Sequence, residues 1–479
     1  MRNAITVSLT LTLAVACVPP LPEGHYACVV AATDCPTGWS CVGGRCYSSA
    51  PFAGGDAGVF GGDAAWAPDA WSAPMADAAT VADAGVVMPD TSVAAPDAGR
   101  EPDAAAPVDA GTIPPTDAGG VAPPPSTALA VGSRHACAAT AAGVVACWGD
   151  NANGGLGVPV ATPWSATPVV VPSVPESHDV CAGNGYACAL GADGRVRCWG
   201  NDSVWQLGRN AVTPAPPDVV PGVSGATQIT CGGTHACALT AAGVMCWGGN
   251  AAQQTGAAAS PREMPHLVAG VHAVAITAGA SHTCALSGDG TVSCWGAGSM
   301  GQLGASGPTP SSSASSAAPV AIPGLSAVAI AAGSDHTCAA QGDGSVSCWG
   351  CANSGRLGVL ASGAHPALVT VTGVSGTLLV AGGTELSCAA SSAPTMPLGC
   401  WGNMAYGQLG TGGSAHTGVA TSPTPISSMP GPVTSLAAGN GFACAAAGAA
   451  VLCWGLNDRG QLGDGTTTTR TAPVMVTLP

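Results

Sequence analysis

The sequence contains no lysine; its 11 basic residues are all arginine, and charged residues make up only 8% of the 479 positions. A nucleic-acid partner needs clustered cations to neutralise phosphates and release counterions, so that class of partner is excluded. Aromatic side chains are scarce at 4%, with three Phe and four Tyr. There is no Gly-x-Ser-x-Gly nucleophile elbow and no phosphate loop, so two common catalytic frameworks are missing and no cofactor is implied. The apolar run Ala4–Ala16 is too short to span a bilayer. Its place after Arg2 makes it the core of a signal peptide, residues 1–16. With so few charges, Ser, Thr, Asn, Gly and exposed backbone must keep the surface soluble.

What is abundant is cysteine, 22 residues, and glycine, 70. That much cysteine suits a reducing compartment only if it binds metal, and the two close Cys-x-x-Cys pairs of a zinc site are not found. Oxidised pairs and an exported protein are the expectation, with no metal centre. The net charge of −15 is uneven, with −10 in residues 51–127 and −5 in residues 128–479.

Leu13-Ala14-Val15-Ala16-Cys17 resembles the lipobox of bacterial lipoproteins, which implies that Cys17 is lipidated and becomes the mature N-terminus. Val18, where some bacteria place an inner-membrane retention aspartate, points to the outer membrane or cell surface. The lipid anchor is then the chain's membrane contact. Residues 17–49 form a small Cys-rich module. Its Cys28, Cys35, Cys41 and Cys46 allow three disulfide pairings, among which sequence does not choose. Residues 50–127 repeat Pro-Asp-Ala and Asp-Ala-Gly, a composition that buries too little apolar surface to offset chain entropy, and read as a disordered linker. Trp66 and Trp71 lie within it.

From residue 128 to 479 the tripeptide Cys-Trp-Gly recurs seven times, with tryptophans at 148, 199, 247, 295, 349, 401 and 454. The spacing of 48 to 54 residues marks a repeat architecture. Each unit holds short β-prone segments punctuated by Gly or Pro, four strands per unit, so the fold class is all-β, a seven-bladed propeller. The first unit opens at Ala128 without a preceding Pro-Val strand, and the chain ends on a spare one, Ala472-Pro473-Val474-Met475. That pattern predicts closure of the ring by the C-terminal strand completing the first blade.

The recurring His, Asp-Gly, Trp-Gly and closing Gly-Gln-Leu-Gly, the last seen at 301–304, 407–410 and 460–463, resemble the repeats of the regulator of chromosome condensation family. The resemblance implies the propeller. The family's nucleotide exchange on a small nuclear GTPase does not suit an exported, lysine-free chain.

Each unit also carries a cysteine pair: Cys137 with Cys147, Cys188 with Cys198, Cys237 with Cys246, Cys284 with Cys294, Cys338 with Cys348, Cys388 with Cys400 and Cys444 with Cys453. A separation of ten sets the two opposite each other around a three-residue turn, and nine does so around a two-residue turn such as Ala241-Ala242. Each bond would constrain the unfolded chain by about 3 kcal/mol at most. Cys181, Cys231 and Cys351 remain, and Cys181 with Cys231 is a candidate bridge between neighbouring blades.

His135, His235, His282 and His336 precede hairpin cysteines, but Tyr186, Leu386 and Phe442 interrupt the series. A histidine hydrogen-bonded within its own blade is therefore expected rather than a metal ring. Trp164 and Trp205 stand outside the repeated positions and are the candidate partner-binding residues, since tryptophan anchors interfaces. The inserted loops 305–318 and 411–423 are further candidates. The functional expectation is a monomeric, non-enzymatic scaffold that binds a protein or a glycan. The alternatives are a hydrolase-like enzyme with a site at a channel mouth, for which Asp335, Glu385 and His178 are too scattered along the sequence to name a mechanism, and a purely structural envelope protein.

Overall fold

The computed structural model describes strand residues 39–42 and 45–48, and residues 127–479 apart from 306, 308–310, 312–313, 394–395 and 414–417. Residues 1–16, Cys17, Cys28, Cys35, the linker to 126 and parts of both inserted loops lie outside the described residues. In the N-terminal module, Trp39–Val42 and Arg45–Ser48 pair as an antiparallel hairpin with Cys41 opposite Cys46.

Residues 128–476 form seven four-stranded antiparallel sheets, each built from consecutive strands. Blade 5 shows the plan: an inner strand Ala327–Ala332, a second strand His336–Gln341, a third Val346–Cys351 and an outer strand Ala364–Thr370. The other blades span 128–170, 177–219, 226–267, 275–321, 377–425 and 433–476. The inner strands line a central channel. The second strands, such as His135–Ala139, are buried along their length, with only the last residues of those in blades 5 and 6, Gln341 and Ser391, partly exposed. They lie between two neighbouring sheets, so small residues, Ala and Cys, alternate where a one-sided sheet would place polar ones.

The register sets cysteine opposite cysteine in every blade, for example Cys284 with Cys294 and Cys237 with Cys246. Seven disulfides join the hairpins, with Cα atoms 4.0 to 4.1 Å apart. Cys181 and Cys231 are bonded across the inner strands of blades 2 and 3, Cα to Cα 5.2 Å. Cys351 is buried and disulfide-bonded as well.

Ring closure differs from the expectation. The C-terminal strand Arg470–Val476 pairs with Ala450–Gly455 and completes blade 7, not blade 1, so no strand is exchanged across the seam. Blade 1 already has its own outer strand, Trp164–Val170, paired with Val145–Asp150. The Pro-Val strand therefore ends each unit and does not begin it. Proline supplies no N–H to a ladder, which fits these strands to the outer edge.

A circle of glycines closes the ring instead. Gly132, Gly183, Gly232, Gly279, Gly333, Gly383 and Gly439 each follow an inner strand. A Cβ on any of them would stand 2.3 to 2.5 Å from the carbonyl oxygen of the next glycine, and Gly439 meets Gly132 across the seam in the same way. Backbone bonds such as Ser133 N–H to Gly183 O and Thr384 N–H to Gly439 O reinforce the circle.

Candidate functional site

The residues that recur are spent on joining blades. Six of the seven Cys-Trp-Gly indoles donate Nε1–H to a backbone carbonyl of the preceding blade, as Trp199 does to Gly155 O and Trp349 to Gln302 O, both at 2.9 Å. Trp148 does the same to Gln461 O across the seam between blades 7 and 1. All seven indoles are fully buried.

Three of the four repeat histidines bond between blades, not within one, whereas His135 Nε2 is buried without a hydrogen-bond partner among the described residues. His235 Nε2 lies 2.8 Å from Thr283 Oγ1, His282 Nε2 lies 2.9 Å from Thr337 Oγ1, and His336 Nε2 lies 2.8 Å from Ser387 Oγ. The hydroxyls of Thr283 and Ser387 donate to Gln254 O and Arg356 O. Their oxygens must therefore accept from Nε2–H, which assigns His235 and His336 a neutral, Nε2-protonated tautomer. Burial lowers the pKa of His135 and His282 to about 4 and of His235 to about 3. The ring edges of His235, His282 and His336 fill the space a Cβ would occupy on the glycine three residues earlier. These are wedges, not ligands.

The channel holds a cavity of about 660 Å³, walled by the inner strands and by small polar groups such as Thr230, Thr277 and Ser334. Asp179 projects from its wall. Burial raises its pKa to about 6, although it accepts from the N–H of Val180 and, in the next blade, from that of Ile229. The Cys181–Cys231 bond lies in the same wall.

At the glycine-lined mouth, blades 1 and 5 lack the glutamine of the closing motif, blade 1 having Gly155 in its place. In five blades the glutamine of the closing motif accepts an N–H two residues earlier, as Gln206 does from Val204 and Gln461 from Arg459. Blade 5 has Arg356 there, buried, donating Nε–H to Asn353 O and lying 3.6 Å from Glu385 Oε1. Burial lowers the pKa of Arg356 and raises that of Asp335, while each charge offsets part of the other's shift. Glu385 also accepts from Asn403 Nδ2 and Ser354 Oγ. Asp335 and Glu385 thus flank one arginine, whereas exposed His178 sits where an inner strand starts, at the opposite mouth. The three do not form one acid–base group.

The other departure is at the rim. The first residue of the closing motif is left-handed in every blade: Gly154, Gly301, Gly355, Gly407 and Gly460 in five, but Trp205 at φ 63° and Gln253 at φ 65° in the others. This residue packs on the next blade's outer strand, as Gly407 does on Thr471. Trp205 meets the next blade's outer strand with its ring, under the Arg262 guanidinium 4.4 Å from the centroid. Trp164 opens the outer strand of blade 1 and is 40% exposed. The two tryptophans belong to different seams, and the structure does not bring them together. Arg262, missed in the sequence, was legible only through its contact with Trp205.

The family described as RCC1-like domain matches residues 168–479, and the Regulator of chromosome condensation (RCC1) repeat matches residues 127–154. The chain belongs to the RCC1-like domain family. No curated protein matches it. Among solved structures, human WBSCR16 is similar at 22% identity and TM-score 0.62, over 70% of this chain and 94% of that one. Prp20p from Saccharomyces cerevisiae is similar at 22% identity and TM-score 0.56, over 65% of this chain and 80% of that one. Yeast RCC1 (Prp20) bound to Kap60 gives 20% identity and TM-score 0.59, over 70% and 83%. At these identities the RCC1-like likeness is one of fold.

Proposed function

We propose that the ring is a protein-binding scaffold of an exported, lipid-anchored protein and that it has no catalytic centre. The observation that carries this reading is Trp205. A bulky residue in left-handed backbone costs about 1 to 2 kcal/mol, and five sister blades avoid the cost with glycine. Strained residues retained at a surface cluster at functional positions, and tryptophan beside arginine is a pairing typical of interface anchors. Prp20p, of the same fold, is described with binding properties to Gsp1p and histones, which supports a protein partner in general and neither of those in particular. Export and the anchor rest on residues 1–17 and on the oxidised state of every described cysteine, which suits an oxidising compartment.

The test is affinity capture from envelope extract with the full chain and with Trp205→Gly. A protein enriched by the native chain and lost with the variant is expected. Capture of the same proteins by both would remove Trp205 as the anchor.

A further inference from the structure

The channel mouth opposite the glycine circle is uneven from blade to blade. Each inner strand of blades 2, 3, 5, 6 and 7 begins with a bulge that pushes one residue outward: His178, Thr227, Val328, Leu378 and Thr434. Val274 holds the matching place in blade 4, its Cγ1 lying 3.6 Å from where a Cβ on Gly288 would stand, as Val328 lies 3.9 Å from that point on Gly342. Three consecutive blades therefore expose an apolar side chain here, Val274 at 60%, Val328 at 58% and Leu378 at 61%, where blades 2, 3 and 7 expose His or Thr.

Carboxylates stand between them. The hairpin turn of blade 4 carries exposed Asp289, and its Gly290 carbonyl accepts the N–H of Ala327, next to Val328. The turn of blade 5 carries exposed Asp343, and its Gly344 carbonyl accepts the N–H of Thr377, next to Leu378. The order along the arc is Val274, Asp289, Val328, Asp343, Leu378. Bonds to Thr291 and Ser345 lower the pKa of the two aspartates and keep them ionised. Among the described residues neither is in a salt bridge, whereas Asp193, at the same turn in blade 2, is paired with Arg197 at 2.8 Å.

We propose that this arc docks a cationic amphipathic polypeptide segment, one that alternates apolar and basic side chains. The alternation matches charge and apolar contact at once, and unpaired carboxylates steer such a partner. The chain's own residues 51–127 carry −10 and are repelled by the same charges. An anionic lipid surface is disfavoured likewise. The inference rests on the scaffold reading but uses a surface separate from Trp205.

The probe is a labelled synthetic peptide of alternating leucine and lysine, titrated into the full chain by fluorescence anisotropy. The Val274→Thr/Val328→Thr/Leu378→Thr variant takes the residue that other blades already carry and leaves the net charge unchanged. It should weaken binding about tenfold or more, and Asp289→Asn/Asp343→Asn should weaken it and flatten its salt dependence. Thermal melts confirm that both variants fold. Equal affinity of both variants and the native chain overturns the proposal. Self-association of the native chain that the threonine variant abolishes also overturns it, by showing a second copy on the arc. If Trp205→Gly loses its captured protein while the peptide ignores the arc, the scaffold reading stands and this one fails.

Discussion

At the scale of single residues, the four repeat histidines make stability depend on pH. The folded pKa of His135, His235 and His282 is depressed to about 4 or about 3, against an ordinary value of 6.5. The unfolded chain therefore binds more protons than the folded one below pH 6.5. Their contribution is present above that value and is lost as pH falls toward the folded pKa. At about pH 5 each of these three lowers stability by about 2 kcal/mol relative to about pH 8, and His336, also lowered by burial, acts in the same direction. His282→Leu, a residue that blade 6 tolerates at Leu386, should flatten this loss. Urea unfolding of both proteins at the two pH values checks it, and equal pH slopes would contradict the assignment. A trace of this arrangement was legible in the sequence. A hydroxyl residue, Thr283, Thr337 or Ser387, follows the matching position where the previous blade has His235, His282 or His336, while His135 is followed in the next blade by Ala187 and its Nε2 is left unbonded. Where the previous blade has Tyr186, Leu386 or Phe442, the next has Ala236, Ala443 or Ala136. Reading that rule needs the knowledge that blades touch in order about 50 residues apart, which no local pattern supplies.

At the scale of elements, the hairpins were the most legible part, because a nine- or ten-residue cysteine spacing fixes register through turn length alone. The phase of the repeat was not legible. A cyclic pattern reads the same from any starting strand, and the decisive clue was proline, which places Pro168, Pro319 and Pro473 on outer edges. The inner-strand glycines also gave no signal of their own, since their need comes from a neighbour's carbonyl and not from a left-handed φ. Gly232→Ala places a Cβ 2.2 Å from His235 Cε1 and 2.4 Å from Gly279 O, so the ring must leave its bond to Thr283 and the carbonyl contact relaxes only if backbone moves. It should cost more than about 3 kcal/mol, while Gly342→Ala, whose Cβ meets only Val328 at 3.9 Å, should change stability by less than about 0.5 kcal/mol. Chemical denaturation of the two variants measures the difference, and similar losses would contradict the role given to the glycine circle.

At the scale of the whole molecule, one sequence unit is used seven times for architecture, and function is left to the positions where the copies disagree. The indole bonds, histidine wedges, disulfides and glycine circle absorb the conserved-looking chemistry of each unit. What remains is asymmetric: Trp205 with Arg262 at one seam, Arg356 between Asp335 and Glu385 at one mouth, and the apolar arc at the other. The measurement that tests this division most directly pairs melting temperature with partner capture for two substitutions. The account predicts that Trp349→Phe, which removes an inter-blade Nε1–H bond, lowers the melting temperature and keeps the captured partner. It predicts that Trp205→Gly, where relief of left-handed strain offsets the lost arginine contact, shifts stability by less than about 1 kcal/mol and loses the partner. Loss of the partner with Trp349→Phe in a folded ring, together with its retention by Trp205→Gly, would contradict the account.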